Sequence, residues 1–171
     1  SMLEEADRLT KLVDSLLTLS RADAGTVPFS KEAVDLAALA SEVSDCLQVL
    51  AEEKEQSLTV AAPAPVFTPA DRATLRQALI NLLDNAIKYT PAGGKIQITA
   101  GTTPGGEATL AVSDNGPGIA PEHREKIYER FYRVDSGRSR EVGGAGLGLS
   151  IVKWAVESNG GRIELDSVAD R

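Results

Sequence analysis

Three polar side chains recur at helical spacing in an otherwise apolar stretch. Asn81, Asn85 and Lys88 stand three or four residues apart, so on a helix they share one face, and Tyr89 follows directly. A side-chain amide oxygen suits Mg²⁺, which takes one or two protein ligands and completes its shell with water and phosphate oxygens. The ammonium of Lys88 would then meet a phosphate. The alternative is an ordinary solvated helix face.

A second group of candidates, from Asp114 to Ile119, follows a predicted strand. A carboxylate at a strand end can accept a hydrogen bond from the exocyclic amine of adenine. Guanine carries a carbonyl at that position, so the same carboxylate would reject it. Gly116 and Gly118 would let a base or ribose approach the backbone closely. A plain turn competes with this interpretation, because Asp-Asn-Gly and Gly-Pro-Gly are both typical of turns.

Glycines lead into the last predicted helix at Gly144, Gly146 and Gly148, with Leu147 among them. Glycine permits positive φ, and successive N–H groups at a helix N-terminus form a concavity that binds anions. The segment lacks the Gly-Lys-Ser/Thr end of a P-loop, and no strand immediately precedes it as a dinucleotide-binding fold requires. A phosphate cradle is the functional interpretation, and a flexible hinge is the structural one.

A short apolar and basic segment, ending in Phe131, Tyr132 and Arg133, interrupts the polar and glycine-punctuated stretch between residues 114 and 146. Such a long irregular stretch is commonly a lid or a binding loop. The two aromatic side chains could close over a bound nucleotide, although such residues more often anchor a loop to the core. Arg133 is a charge partner for a phosphate.

Periodic patterns predict the elements that must position these side chains. A first helix over residues 2–22 carries one apolar seam, formed by Leu9, Leu12, Leu16 and Leu19. Later helices are predicted after a cap at Asp35, over about 71–88 and over 147–158. Strands are predicted at 57–61, 95–100, 108–112 and 162–165. The mixture predicts an α+β fold: a two-layer sandwich of one mixed sheet covered by helices, preceded by one long amphipathic helix.

Composition limits the function classes. The 171 residues, 42% of them hydrophobic, suffice for one main domain with a helical appendage. A net charge of -7 disfavours binding to nucleic acid or to anionic membranes. Cys46 is the only cysteine, which excludes an intramolecular disulfide and suits a reducing compartment. Cys46 and Trp154 fall on apolar helix faces and are predicted to be core residues.

The four candidate segments, in this order and at these separations, resemble the asparagine box, first glycine box, phenylalanine box and second glycine box of bacterial sensor histidine kinases. This family belongs to the wider gyrase, Hsp90, histidine kinase and MutL-like group of ATPases. The first helix resembles the second helix of the family's dimerisation and histidine-phosphotransfer domain. The resemblance implies a remnant of that domain over 1–23, a linker over 24–31 and an ATP-binding catalytic domain with an ATP lid over 32–171.

The resemblance implies a role for each matched position. Asn85 binds Mg²⁺ and Asn81 lies near the attacking group. Asp114 reads adenine, and the glycines of the second box form the lid hinge and phosphate loop. Ala145 stands where many relatives carry a hydroxyl residue, so one phosphate hydrogen bond is in doubt. The implied ATP-binding set is Asn81, Asn85, Lys88, Tyr89, Asp114, Gly116, Gly118, Ile119, Tyr132, Arg133, Gly144, Gly146, Leu147 and Gly148.

The resemblance also implies the reaction and the partners. The domain binds Mg-ATP and donates its γ-phosphate to a histidine on a phosphotransfer helix, for relay to a response regulator. His123 does not resemble the family's acceptor motif and is predicted to be a surface residue. The acceptor is therefore expected before residue 1, and autophosphorylation is not expected of this chain alone. In the family the leucine seam belongs to a dimeric four-helix bundle, so a homodimer is one expectation, while a chain with half of each hairpin missing could also dimerise weakly, aberrantly or not at all. The location is expected to be cytoplasmic, with a membrane-bound sensor as one form of the parent protein.

Two other functions remain open at this point. A self-contained ATPase or ATP-driven conformational switch of the same group is one. In the hydrolytic members a glutamate that activates water stands where this chain has Asn81, and an amide has no useful basicity near neutral pH. A degenerate module that docks partners without nucleotide is the other, and the intact set of boxes argues against it.

Overall fold

Helices and strands alternate along most of the chain. The computed structural model describes residues 2–134 and 144–169, except for the side chain of Glu4. The α-helices are α1 (Met2–Asp23), α2 (Leu36–Glu53), α3 (Arg72–Tyr89) and α4 (Gly148–Ser158). The strands are β1 (Lys31–Asp35), β2 (Ser57–Ala61), β3 (Phe67–Asp71), β4 (Lys95–Thr102) and β5 (Ala108–Asp114). Short 3₁₀ turns cover Pro121–His123 and Lys126–Tyr128. The helices confirm the four that the sequence predicts.

A three-stranded mixed sheet forms one layer of the fold. Strand β4 lies in the middle, parallel to β2 and antiparallel to β5. Its side chains alternate between the two faces, so that Ile96 and Ile98 are buried under helices α2 and α3. Leu39, Leu79 and Leu83 supply the helical side of this core. The predicted α+β sandwich of a mixed sheet covered by helices is confirmed.

A separate two-stranded ladder pairs β1 with β3, and sequence reasoning missed both strands. Each strand is five residues long and β3 contains Pro69, which normally argues against a strand. Each strand ends at an aspartate that begins the next helix. The carboxylate of Asp35 accepts from the N–H of Ala37, and that of Asp71 accepts from the N–H of Thr74. The cap predicted at Asp35 is therefore confirmed.

Two other expectations were wrong. Residues 162–165 are irregular rather than a strand, because only Ile163 packs on a core cluster and Leu165 is exposed, so the apolar alternation does not correspond to one buried face. Cys46 is exposed rather than buried, because it lies at the rim of α2 beside the guanidinium of Arg76.

Helix α1 docks on the end of the chain's last helix. Leu19 is 3% exposed and packs with Leu147 and Ile151. The carboxylate of Asp23 accepts two hydrogen bonds from the guanidinium of Arg130, at 2.8 and 2.6 Å. These hydrogen bonds hold the pKa of the Asp23 carboxyl below its ordinary value. The linker-side end of α1 is thus attached to the segment predicted to close over the nucleotide.

The leucine seam of α1 is only partly covered. Leu9 is 52% exposed and Leu16 is 40% exposed, whereas Leu12 packs at the edge of the cluster around Leu19. Within the described residues, Leu12 and Leu19 are therefore covered, whereas Leu9 and Leu16 are open. None of the helices in the described ranges is long and apolar enough to cross a lipid bilayer.

The contrast between the two ends of α1 yields a matched pair of variants. We expect Leu19→Ala to weaken the docking of α1 by about 2–4 kcal/mol, because it removes a buried side chain and leaves a cavity. Leu9→Ala, on the exposed part of the same seam, should cost under about 0.5 kcal/mol. Hydrogen exchange of the amides near Asp23 measures both. Equal protection in the two variants would show that α1 does not depend on this contact.

Candidate nucleotide site

The polar face of α3 is formed as the helical spacing predicts. The Nδ2 of Asn81 donates to the carbonyl oxygen of Gly148 at 3.3 Å, while its Oδ1 accepts from Gln77 at 3.2 Å. Asn85, one turn later, is half-buried, and its amide makes no hydrogen bond to any residue in the described ranges. Lys88 forms an ion pair with Asp84, N to O 2.5 Å. The middle of this face therefore presents an uncommitted amide.

Close packing between α3 and α4 brings the second glycine segment to this face. Ala78 of α3 packs with Val152 and Ala155 of α4, and all three are buried. A Cβ built on Gly148 would lie 3.9 Å from both Cβ and Cγ of Asn81, so the helix start is in van der Waals contact with the asparagine. Small side chains at this contact allow the N-terminus of α4 to lie beside the polar face.

The N-terminus of α4 is itself suited to an anion. Within the described residues no side chain caps it, and the hydroxyl of Ser150 donates to the carbonyl of Leu147 instead of accepting from the first turn. The first N–H groups of a helix have no intrahelical acceptor and lie at the positive end of the helix dipole. A phosphate would satisfy them.

Strand register decides the direction of Asp114. It stands directly opposite Ile96, which is buried, whereas its neighbour Ser113 stands opposite Gln97 on the open face. Directly opposed residues share a face of the sheet, so Asp114 lies on the side covered by helices. One carboxylate oxygen accepts from the N–H of Gly116 at 2.8 Å, and the side chain is otherwise exposed.

The turn after Asp114 abuts the end of α3. A Cβ built on Gly116 would lie 2.8 Å from Oδ1 of Asp114, 3.4 Å from the carbonyl oxygen of Tyr89 and 3.6 Å from the hydroxyl of Thr90. No larger residue fits without displacing one of these groups. The adenine-reading candidate and the last turn of the asparagine helix are therefore neighbours.

The rest of this turn is held by the C-terminal segment. Gly118 has a φ of +73°, and a Cβ there would clash with the carbonyl oxygen of Val168. The N–H of Ile119 donates to the hydroxyl of Ser167 at 2.8 Å, and Arg124 donates to the carbonyl of Ser167 at 2.6 Å. Sequence reasoning missed Ser167, because a lone serine near a chain end carries no pattern.

The aromatic segment meets the second glycine segment through the backbone. The N–H of Phe131 donates to the carbonyl of Gly146 at 2.8 Å. Gly146 has a φ of +72°, and a Cβ there would lie 2.7 Å from the carbonyl oxygen of Tyr132. Gly144 also has a positive φ, of +142°, but nothing lies within 4 Å of a Cβ there. The part of the predicted lid at 135–143 lies outside the described residues.

Two side chains of this segment are partly enclosed. The hydroxyl oxygen of Tyr132 lies 2.6 Å from Nδ1 of His123, which is a hydrogen-bonding distance. His123 is half-buried, whereas the sequence predicts a surface residue. Arg133 is half-buried. Phe131 is 59% exposed and has a φ of +65°, so it is not the core anchor of the loop.

The donor set fits a magnesium ion that is shared with a nucleotide. No group of three or more histidine, cysteine or acidic side chains that could hold a metal occurs in the part of the chain that the structure describes. The uncommitted amide of Asn85 offers one hard oxygen, and Mg²⁺ at phosphates commonly takes only one or two protein ligands. The residues present therefore suit a metal that phosphates bring with them.

The contacts connect all four predicted segments. Gly116 meets Tyr89 at the C-terminal end of α3, Asn81 meets Gly148 near the middle of the same helix, and Gly146 binds Phe131. The family described as histidine kinase-, DNA gyrase B-, and HSP90-like ATPase matches residues 70–171, which include all of these segments. The chain belongs to this ATPase family.

Relatives and solved structures of the family agree with this assignment. The sensor-like histidine kinase SenX3 of Mycolicibacterium smegmatis is 38% identical over 164 residues, which cover 96% of this chain and 42% of SenX3. Full-length ShkA in complex with AMPPNP superposes with a TM-score of 0.79 at 35% identity, over 92% of this chain and 32% of that chain. ThkA in complex with the response regulator protein TrrA superposes with a TM-score of 0.71 at 26% identity, over 93% and 43%.

The chain spans less than half the length of each of these relatives. The resemblance to sensor histidine kinases is confirmed, and the chain corresponds to their ATP-binding catalytic domain.

Gly146→Ala tests the contact between the aromatic segment and the second glycine segment. The new Cβ would clash with the Tyr132 carbonyl and would also occupy a positive φ. Gly160→Ala is the matched control, because Gly160 has a φ of +77° but nothing within 4 Å of a Cβ. We expect Gly160→Ala to cost about 1 kcal/mol of unfolding free energy and Gly146→Ala clearly more. Only Gly146→Ala should deprotect the Phe131 amide in hydrogen exchange, and similar protection in both variants would contradict the contact.

Proposed function

We propose that this chain binds Mg-ATP along the polar face of α3 and presents the γ-phosphate to a histidine of a phosphotransfer helix. The observation that carries the proposal is that one helix touches both glycine-containing turns, with Asn81 at Gly148 and Tyr89 at Gly116. From Asn81 to Tyr89 the helix rises about 12 Å at 1.5 Å per residue. A rigid helix therefore fixes the distance between the base-reading end and the phosphate end.

At the base end, Asp114 accepts from the adenine amine. Its Oδ1 is already oriented by the Gly116 N–H at 2.8 Å, which leaves the second oxygen for the base. Tyr89 is half exposed beside this turn and packs against the adenine. Gly118 and Ile119 complete the backbone wall that the C-terminal segment holds in place.

Three kinds of group would bind the phosphates in this proposal. Asn85 supplies an amide oxygen to the metal, and Lys88 and Arg133 supply positive charge. The first N–H groups of α4, beginning at Gly148, receive phosphate oxygens, with Gly144, Gly146 and Leu147 forming the loop before them. Bound Mg²⁺ supplies neutralisation of the charge on the phosphates. Tyr132 lies at the edge of this group, fixed by its hydrogen bond to His123.

Transfer to an imidazole suits this site better than hydrolysis does. Asn81 uses its Nδ2 on the Gly148 carbonyl and its Oδ1 on Gln77, so it is an orienting group without basicity. An imidazole nucleophile needs no such base, because it has a lone pair available near neutral pH. The domain then contributes position and charge neutralisation, which are the main requirements of phosphoryl transfer.

The proposed partners follow from the relatives. A response regulator would take the phosphoryl group from the histidine, as the solved complex of ThkA with TrrA suggests. The open leucines of α1, Leu9 and Leu16, would pair with a second copy, and Leu12 and Leu19 extend that seam toward α4. We assign residues 1–23 to the phosphotransfer domain, 24–31 to a linker and 32–171 to the catalytic domain. In a membrane-bound parent protein, these residues would lie on the cytoplasmic side of the membrane.

Asn85→Ala tests the metal assignment. Removing the amide oxygen should abolish the Mg²⁺-dependent part of ATP binding, so that calorimetric titrations with Mg²⁺ and with EDTA give the same affinity. Gln48→Ala removes an amide from the neighbouring helix α2 and should leave the difference between the two titrations intact. A variant at position 85 that keeps the full Mg²⁺ effect would remove Asn85 from the site.

Asp114→Asn tests the reading of adenine. Asparagine keeps an oxygen for the Gly116 N–H, so the turn persists, but its NH₂ group opposes the adenine amine. We expect the preference for ATP over GTP to fall by about 1–3 kcal/mol, the usual cost of mispairing a buried polar group. Asp45→Asn on the exposed side of α2 is the charge-matched control. Equal affinity of the unaltered chain for ATP and GTP would exclude Asp114 from this role.

A further inference from the structure

The C-terminal end of α3 presents carbonyl groups that the helix itself cannot satisfy. The N–H of Thr90 donates to the carbonyl of Ala86 at 3.0 Å and closes the last helical turn. The carbonyls of Ile87, Lys88 and Thr90 follow this turn, and no N–H group of the helix is available to donate a hydrogen bond to them. These groups form the negative end of the helix dipole. They belong to the turn that carries the phosphate candidate Lys88 and the adenine candidate Tyr89.

A single ammonium group satisfies all three carbonyls. The Nζ of Lys54 lies 2.5 Å from the carbonyl oxygen of Ile87, 2.9 Å from that of Lys88 and 3.2 Å from that of Thr90. An ammonium has three donors, so its hydrogen-bonding capacity is fully used on the helix end. Lys54 is the C-cap residue that directly follows α2, more than thirty positions before these carbonyls in sequence.

A buried amide reinforces the same contact. Gln56 is 5% exposed, and its Nε2 donates to the carbonyls of Ile87 and Thr90 at 3.0 and 2.6 Å. The backbone adds two more bonds between the segments. The N–H of Gly93 donates to the carbonyl of Glu55 at 3.1 Å, and that of Ser57 donates to the carbonyl of Gly94 at 2.9 Å.

We propose that Lys54 is a positioning residue for nucleotide binding, which acts by fixing the last turn of α3 and thereby the direction of the Lys88 side chain. This inference rests on the proposed function. The charge of Lys54 faces the helix end, so Lys54 does not touch the nucleotide. Thr90 is wedged on the other side of the same turn, where a Cβ on Gly94 would clash with its methyl group. The turn is therefore held from both sides, and Lys54 supplies a positive charge at the negative end of the helix dipole.

Sequence reasoning could not find this contact. Lys54 is the one basic residue among three glutamates in the run Glu52 to Glu55, and such a run of charged residues is typical of a solvated helix end. Nothing in that run indicates that one side chain turns inward to another helix.

A double-mutant cycle distinguishes positioning from a general loss of structure. Mg-ATP affinity is measured by calorimetry for the unaltered chain, Lys54→Met, Lys88→Met and the double variant. Methionine keeps the length of the side chain but removes the ammonium. We expect Lys54→Met alone to weaken binding on the order of ten-fold, and to change it less than about two-fold when Lys88 is already methionine. Lys11→Met, an exposed lysine of α1 whose side chain is 77% accessible, should leave affinity unchanged.

Each outcome has one meaning. Equal loss in both backgrounds would mean that Lys54 supports the fold only, and unchanged affinity in Lys54→Met would overturn the inference while leaving the proposed function in place. Failure of the unaltered chain to bind Mg-ATP would overturn the proposed function itself. If Lys54→Met does not fold, judged by its circular dichroism, Lys54→Arg replaces it in the cycle. The planar guanidinium of arginine cannot donate to all three carbonyls at once. We therefore expect Lys54→Arg to weaken Mg-ATP binding less than Lys54→Met, and to have little effect when Lys88 is already methionine. A loss of affinity that is the same in both backgrounds would overturn the inference.

Discussion

The close contact between α3 and α4 is the constraint on which the candidate site depends. Ala78 and Ala155 allow the helices to approach, and the approach brings the carbonyl of Gly148 within hydrogen-bonding distance of Asn81. A bulkier side chain at either alanine would separate the amide face of one helix from the uncapped N-terminus of the other. Neither part alone would hold a triphosphate, because the first offers a metal ligand and the second offers anion-binding N–H groups.

The C-terminal end of α3 is fixed by a different set of interactions. Strand β5 delivers Asp114 on the covered face of the sheet, and Gly116 lets the following turn lie against Tyr89 and Thr90. Lys54 holds the same helix end from the side of α2. Helix α3 therefore carries two candidate contact points for the nucleotide, one near its middle at Asn81 and one at its C-terminal end at Tyr89. Docking through Leu19 and Asp23 joins α1 to the aromatic and glycine segments, so a shift of α1 would displace those segments.

Sequence reasoning was strongest where chemistry and periodicity coincide. The polar face of α3, the strand before Asp114 and the glycines before α4 were predicted because each combines a periodic element with residues of restricted function. It failed where contacts over long sequence separations decide the structure. Strands β1 and β3 lack the apolar and polar alternation that identifies the equally short β2, and β3 contains Pro69. The alternation at 162–165 does not produce a strand, because only Ile163 there packs on a core cluster. The role of Lys54 depends on carbonyls of another helix, which no local pattern records.

The most direct test of the account is the fate of the γ-phosphate. The chain would be mixed with γ-labelled ATP, Mg²⁺ and a separately produced phosphotransfer helix pair from a sensor-kinase relative, and both labelled histidine and free phosphate would be measured. We expect label on the acceptor histidine when the helix pair is present, and little free phosphate when the chain is incubated alone. Steady release of phosphate by the chain alone, with no labelled histidine and with turnover lost when Asn81 is replaced, would contradict it and identify a self-contained ATPase.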